Sequence, residues 1–280
     1  MKLAIAAALL AGSAQPAAAQ DTDWAQVRKE WNMPVAPFRI TGNVHYVGTA
    51  GIAAYLITTP EGHILIDGAM EESAPLVAAN IAALGFKLRD VKILLINHAH
   101  WDHSGGLAEL KRLTGARLMA SAGDKPGLEA GMLDYRPDLD RAPPVKVDVS
   151  LTDGEMLVLG GTTLITHLTP GHTKGCTSWT MRAGGLDIIF ACSLSVAGQP
   201  LTAGQGYDAA AADFRTTFAK LKGMRADVFL NFHPSAFDME AKRKKLLAGD
   251  VRAFVDPGEL RRRVDAAKGA FEGELARQRH

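Results

Sequence analysis

Residues 97–106 read Asn-His-Ala-His-Trp-Asp-His-Ser-Gly-Gly, placing three imidazoles and one carboxylate within six consecutive positions, His98 to His103. Imidazole nitrogen and carboxylate oxygen are donors that Zn²⁺ takes from proteins. The chain has nine histidines in 280 residues, so three within six positions form a cluster and not a background frequency. His98 and His100 lie two apart. In an extended segment they point to the same side and can hold one ion together. Asp102 and His103 follow where Gly105 and Gly106 let the chain turn, so they can face a second ion.

Two further histidines have matching settings. Thr169-Pro170-Gly171-His172-Thr173 follows a predicted strand, Thr163 to Leu168, and Phe232-His233-Pro234 follows another, Asp227 to Asn231. Loops past strand ends, on a rigid scaffold, are where sites gather. His45, His63 and His167 fall inside strand patterns and read as packed or surface residues, and His280 is terminal. Five histidines and Asp102 give six donors. A catalytic Zn²⁺ takes three protein ligands and keeps one position for water. The six therefore divide into His98, His100 and His172 for one ion, and Asp102, His103 and His233 for a second. Two Zn²⁺ ions per chain are expected.

The elements that must position these donors are legible from periodicity. Strands are expected over Arg39 to Gly48, Ile52 to Thr59 and His63 to Asp67. A helix is expected from Ser73 to Leu84, stopped by Gly85. Val91 to Ile96 is almost continuously apolar, which suggests a strand buried on both faces, and the histidine cluster begins just past its end. Gly106 to Leu113 reads as a helix and Ala116 to Ala120 as a strand. Met132 to Lys146, with its prolines and scattered charge, is long enough to be a lid or rim. Further strands are expected at Val147 to Leu151, Met156 to Leu159, Thr163 to Leu168, Thr177 to Met181, Leu186 to Ala191 and Asp227 to Asn231. Helices are expected over Ala209 to Met224 and Pro257 to Arg277. Strands run consecutively in places and alternate with helices in others. That favours two mixed sheets packed together, with helices outside, over one doubly wound sheet.

Composition bounds the function. The formal net charge is +1, so no electrostatic footprint for nucleic acid or a membrane surface is present. Met1-Lys2, the apolar run Leu3 to Leu10 and the small residues Ala17-Ala18-Ala19 read as an export signal cleaved before Gln20. The run is too short to span a bilayer. Residues 1–19 are thus expected to be a signal peptide and 20–280 a single periplasmic domain, without membrane contact after cleavage. A monomer is expected because no large apolar surface stripe is evident. Cys176 and Cys192 sit on strands flanking a turn at Ala183-Gly184-Gly185, and a hairpin centred on Gly184 sets them opposite one another. Export permits a disulfide. A bridge between directly paired strands is usually strained, so two free buried thiols are expected.

In motif order the chain resembles the metallo-β-lactamase superfamily. The motifs are Leu65-Ile66-Asp67-Gly68, His98 to His103, Pro170-Gly171-His172-Thr173, the segment around Cys192-Ser193, and His233. The resemblance covers nearly all of the mature chain. It implies a four-layer αββα sandwich, an α/β fold of two mixed β-sheets flanked by helices, and hydrolysis by zinc-activated water. Hydrolases of thioesters, lactones, phosphodiesters and β-lactams share the first motif. Superfamily members resembling glyoxalase II carry a metal-bridging Asp near Phe190 to Leu194, and Phe190 to Ser195 contains no carboxylate here. One β-lactamase subclass uses a Cys of this region as a ligand and lacks a histidine after the motif aspartate. His103 occupies that place here, so Cys192 is not needed. Ser193-Leu194-Ser195 looks like the serine pair that helps hold the antibiotic's carboxylate in the third subclass of class B β-lactamases.

The resemblance therefore implies hydrolysis of a small β-lactam antibiotic, hence resistance, with an exported lactone or thioester hydrolase as the alternative. It implies that Asp102 both binds zinc and orients the attacking water. The first ion would polarise the lactam carbonyl and the second would stabilise the departing nitrogen. Asp67 reads either as a group orienting a ligand histidine or as a strand-end residue, and Trp101 as a core residue more than a site wall. No serine has a lysine three positions later, which excludes the Ser-x-x-Lys nucleophile of serine β-lactamases.

Overall fold

The structure, a computed structural model, describes residues 23–279. The expected signal peptide, 1–19, and His280 lie outside the described residues. The first sheet has seven strands in sequential order: β1 (Phe38–Thr41), β2 (Val44–Tyr46), β3 (Tyr55–Thr59), β4 (Gly62–Ile66), β5 (Val91–Leu95), β6 (Arg117–Ser121) and β7 (Val149–Leu151). The first four pair antiparallel, and β4 to β7 pair parallel. The second sheet comprises β8 (Met156–Leu159), β9 (Thr162–Leu168), β10 (Thr177–Ala183), β11 (Leu186–Ala191) and β12 (Val228–Asn231), ordered β12-β11-β10-β9-β8. Its single parallel pair is β11 with β12.

The helices are α1 (Trp24–Trp31), α2 (Ala74–Ala83), α3 (Trp101–Ser104), α4 (Leu107–Thr114), α5 (Lys125–Ala130), α6 (Ala210–Lys222), α7 (Met239–Leu247) and α8 (Glu259–Gln278). α2 and α4 contact each other, and α4 contacts β5, on the first sheet. α6 and α8 pack together, and α8 meets β12, on the second. The layers are therefore α, β, β, α. Between the sheets, the Tyr55 ring meets Phe190 at 5.1 Å and Phe232 at 5.6 Å, edge to face, and the Tyr55 hydroxyl donates to the Asn231 carbonyl. Aromatic pairs of this kind add to the area they bury.

Three departures from the sequence reading have local causes. Arg39 to Gly48 is not one strand but the hairpin β1–β2. Gly42 turns it with φ 51°, and a Cβ there would lie 2.8 Å from the Gly184 nitrogen. Glycine is the residue that enters this region without steric cost. α1, α3, α5 and α7 have no counterpart among the expected helices: α1 buries no residue and α7 only Met239, so neither carries a strong apolar stripe, and α3 and α5 are single short stretches. Finally, Cys176 and Cys192 are not free thiols but a disulfide, with Cα atoms 6.0 Å apart. The strain argument fails because neither cysteine lies in the ladder. β10 begins at Thr177 and β11 ends at Ala191, so the bridge joins the two chains where regular pairing has stopped.

Candidate metal centre

Every expected donor lies past the C-terminal end of a strand. β4 and β5 run parallel and deliver Asp67 and the stretch from Asn97 to one edge. β9 and β11 are both antiparallel to β10, and β12 is parallel to β11. The loops carrying His172, Ser193 to Ser195 and His233 therefore emerge together. His98 and His100 occupy non-helical backbone. His100 is extended, at φ −71° and ψ 150°, and caps α3, whose first turn carries Asp102 and His103. Glycines permit the close approach. A Cβ on Gly106 would stand 2.2 Å from the Gly68 carbonyl oxygen, and one on Gly171 (φ 133°) would stand 2.7 Å from the Phe214 ring.

Two clusters result. In the first, His98 Nε2 and His172 Nε2 are 3.1 Å apart, and His98, His100 and His172 offer donor atoms all within 4.8 Å of one another. In the second, His103 Nε2 lies 3.2 Å from His233 Nε2 and 3.3 Å from Asp102 Oδ2, and His233 Nε2 lies 3.5 Å from the same oxygen. Tetrahedral bonds of about 2.0–2.1 Å place neighbouring donors roughly 3.3 Å apart. The spacings of the second cluster match that edge.

The hydrogen bonds on the far side of each ring decide what faces inward. His98 Nδ1 donates to Asn97 Oδ1. His172 Nδ1 donates to the Ser195 carbonyl at 2.7 Å, and His103 Nδ1 to Asp67 Oδ2 at 2.9 Å. The backbone of Gly51 lies beside the His233 ring and favours its charged form, against the pull of burial. With the one proton on Nδ1, the neutral rings of His98 and His172 turn the lone pairs of their Nε2 atoms into the cluster. Two lone pairs about 3 Å apart repel unless a cation lies between them. His100 Nε2 is buried and has no partner among the described residues. Charge follows the same logic. Burial holds His98 and His100 well below the ordinary imidazole range and pushes His172 and His233 down to about 4. At neutral pH these four are in the form that binds metal. Burial also opposes a charge on His103, but Asp102 and Asp67 outweigh it and raise that pKa. The residues present fit a divalent ion of the zinc type.

Asp67 serves both of the alternatives read from the sequence. Its Oδ1 accepts from the Ala69 amide at 2.7 Å and closes the strand end at φ 80°, while Oδ2 orients His103. A buried partner of this kind fixes the tautomer of a ligand histidine. The Asn97 side chain donates to Asp67 and accepts from His98, linking the two clusters. Nothing in the spacing flagged that role. Ser195 is exposed and lines a cavity of about 530 Å³ together with His100, Asp102, His172 and His233. Ser193 does not line it. It borders the adjacent cavity toward α8 and hydrogen-bonds Ser195 at 3.1 Å. The remaining wall is aromatic: Trp101 stacks on Trp31 at 6.4 Å, and Trp24 stands at the rim. Arg136, Asp138, Leu139 and Asp140 bring the 132–146 loop to the rim. No described helix is long and apolar enough to cross a membrane.

A family model for the metallo-β-lactamase superfamily matches residues 47–233. The chain belongs to this superfamily. Among solved structures it is similar to BJP-1, a subclass B3 metallo-β-lactamase of Bradyrhizobium japonicum. The identity is 44%, with a TM-score of 0.85 over 90% of this chain and 98% of that one. A metallo-β-lactamase of Cronobacter sakazakii, distinguished by a His-Ala-Arg-Leu-Asp-Gln motif, is 39% identical, with a TM-score of 0.88 over 90% and 99% of the two chains. Set beside that motif, His98 to His103 reads His-Ala-His-Trp-Asp-His, with imidazoles in place of Arg and Gln. Among curated proteins, a hydroxyacylglutathione hydrolase of Rhodopseudomonas palustris is 32% identical over 119 residues, 42% of this chain. The match covers only 39% of that relative's own length.

Proposed function

We propose that this chain is an exported zinc-dependent β-lactamase that opens the β-lactam amide and so confers antibiotic resistance from the periplasm. The observation that carries this reading is the convergence of six donors into two three-donor clusters, four of whose members, His100, Asp102, His172 and His233, line one cavity. Similarity to subclass B3 metallo-β-lactamases along almost their whole length supports it. His98, His100 and His172 would hold one zinc ion, and Asp102, His103 and His233 the other. Two such ions acidify a water molecule and polarise a carbonyl. Asp102 accepts a hydrogen bond from the attacking water and aims it at the lactam carbon. Ser195, on the cavity side of its loop, donates to the carboxylate of the substrate, and Ser193 holds the Ser195 hydroxyl in place. The tryptophan wall shelters the reacting bond from bulk water. No acyl-enzyme forms, in keeping with the missing Ser-x-x-Lys.

Thioester hydrolysis is the second reading, favoured by the partial likeness to hydroxyacylglutathione hydrolases. The stretch Phe190 to Ser195 counts against it, because it offers no carboxylate to bridge two metals. Turnover of a chromogenic cephalosporin by purified protein decides between them. Zinc-loaded protein should hydrolyse it, lose activity to a chelator and regain it with zinc, at close to two ions per chain by elemental analysis. Cleavage of S-lactoylglutathione with no turnover of any β-lactam would establish the alternative instead. A reproducible content of one ion would undo the six-donor division.

A further inference from the structure

Asp124 lies outside the six donors and outside every motif discussed above. It stands at the N-cap of α5, where an aspartate ordinarily accepts from amides of the helix's own first turn. It makes no such bond. Its side chain is turned inward and is 1% exposed. Oδ2 accepts from the Ala99 amide at 2.9 Å and from the Thr173 hydroxyl at 2.8 Å, and Oδ1 accepts from the Gly175 amide at 2.8 Å. Ala99 lies between His98 and His100. Thr173 follows His172, and Gly175 ends the same turn. One buried carboxylate thus joins two donor segments that issue from different sheets.

The surroundings are built to receive it. Ser121 Oγ donates to the Gly175 carbonyl at 2.6 Å, holding the same turn from β6. A Cβ on Gly175 would fall 2.3 Å from the Asp124 nitrogen, and one on Gly123 would fall 2.6 Å from the Lys174 carbonyl oxygen, so backbone rests on backbone. No lysine or arginine pairs with Asp124 among the described residues. Burying a carboxylate without a cationic partner is costly, and burial pushes its pKa up to about 6 against the pull of its three hydrogen-bond donors. Those three donors all belong to the two segments that carry the metal-site histidines.

We propose that Asp124 is a positioning residue of the first metal site, fixing the distance between the His98–His100 segment and His172. The proposal rests on the assignment of His98, His100 and His172 to one ion. Asn at this position keeps the volume but turns an NH₂ toward at least one of three donors. Stepwise Co²⁺ titration of metal-free protein, read by d–d absorption with a competing chelator, tests it. His172→Ala serves as the control that assigns the first-site step. Asp124→Asn should weaken that step about 10–100-fold, the range for a lost supporting partner of a metal ligand, and alter its absorption band. The second step should stay within about threefold. Thr173→Val removes one of the three donors, and should weaken the first step by a smaller factor in the same direction. It decides the matter if Asp124→Asn does not fold by circular dichroism. Equal weakening of both steps, or an unchanged first step in a folded variant, would overturn the proposal. If His172→Ala itself leaves both steps intact, the site assignment fails instead.

Discussion

The two donor clusters share an edge of the sandwich but are held by opposite means. The first is made of three neutral imidazoles, each buried, and its supports are backbone carbonyls, the Asn97 amide, the Cys176–Cys192 disulfide nearby and the Asp124 carboxylate. The second contains its own carboxylate, Asp102, with another, Asp67, behind His103. Its third donor, His233, keeps 27% of its side chain exposed, whereas the side chain of His103 is fully covered. Position in the first cluster comes from packing and from hydrogen bonds to groups outside the donor set, the charged Asp124 among them. In the second a carboxylate is itself one of the donors. On the proposed function, a neutral donor set would leave the full charge on an ion held there, which suits polarising a carbonyl. A donor set with a carboxylate would lower that charge and supply an acceptor for water.

The largest break in this contrast comes at Asp102. Asp102→Asn keeps the shape, removes the charge and loses the acceptor. Zinc content should fall from two toward one, with kcat down about 10²–10⁴-fold, the range for a positioned proton acceptor. His103→Ala should also release the second ion but leave the Asp102 carboxylate in place. Its activity should therefore exceed that of Asp102→Asn when metal content is matched. Equal rates at equal occupancy would reduce Asp102 to a simple ligand.

A middle-sized effect is expected at Asp67. Asp67→Asn weakens the hold on His103, so second-site affinity should drop about 10–100-fold. The first site should move less, since it feels Asp67 only through the Asn97 amide. Titration of metal-free protein checks this, and equal losses at both sites would mean that Asn97 couples the clusters tightly.

The smallest effect sharpens the comparison from the substrate's side. Ser195 supports the first cluster through its carbonyl and lines the cavity. Ser195→Ala should leave metal content unchanged and raise KM about tenfold with kcat nearly constant, as expected for one hydrogen bond to a charged group of ~1.5 kcal/mol. Ser193→Ala should raise KM less, because Ser193 lines the neighbouring cavity and acts through Ser195. Steady-state kinetics on several β-lactams decide this. If KM does not move in either variant, the substrate carboxylate is held elsewhere.

Much of this was written in local sequence. The spacing of His98, His100, Asp102 and His103 is a short-range pattern, and a strand followed by a loop histidine is visible at His172 and His233 without any coordinates. Alternation and apolar runs located β5, β8 and β11 with bounds within a residue, because burial imposes a period on each strand by itself. Long-range contacts are different. Only the folded chain brings Asp124 to Ala99 and Gly175, places Asn97 between the clusters, and sets Ser195 but not Ser193 on the cavity that holds the donors. The disulfide belongs here too. Strand-by-strand reading set the cysteines opposite each other, but where the ladder stops is decided by the packing of both sheets. A residue's type limits which bonds it can make. Which partner stands within 3 Å depends on how two sheets meet, and that is a property of the whole chain.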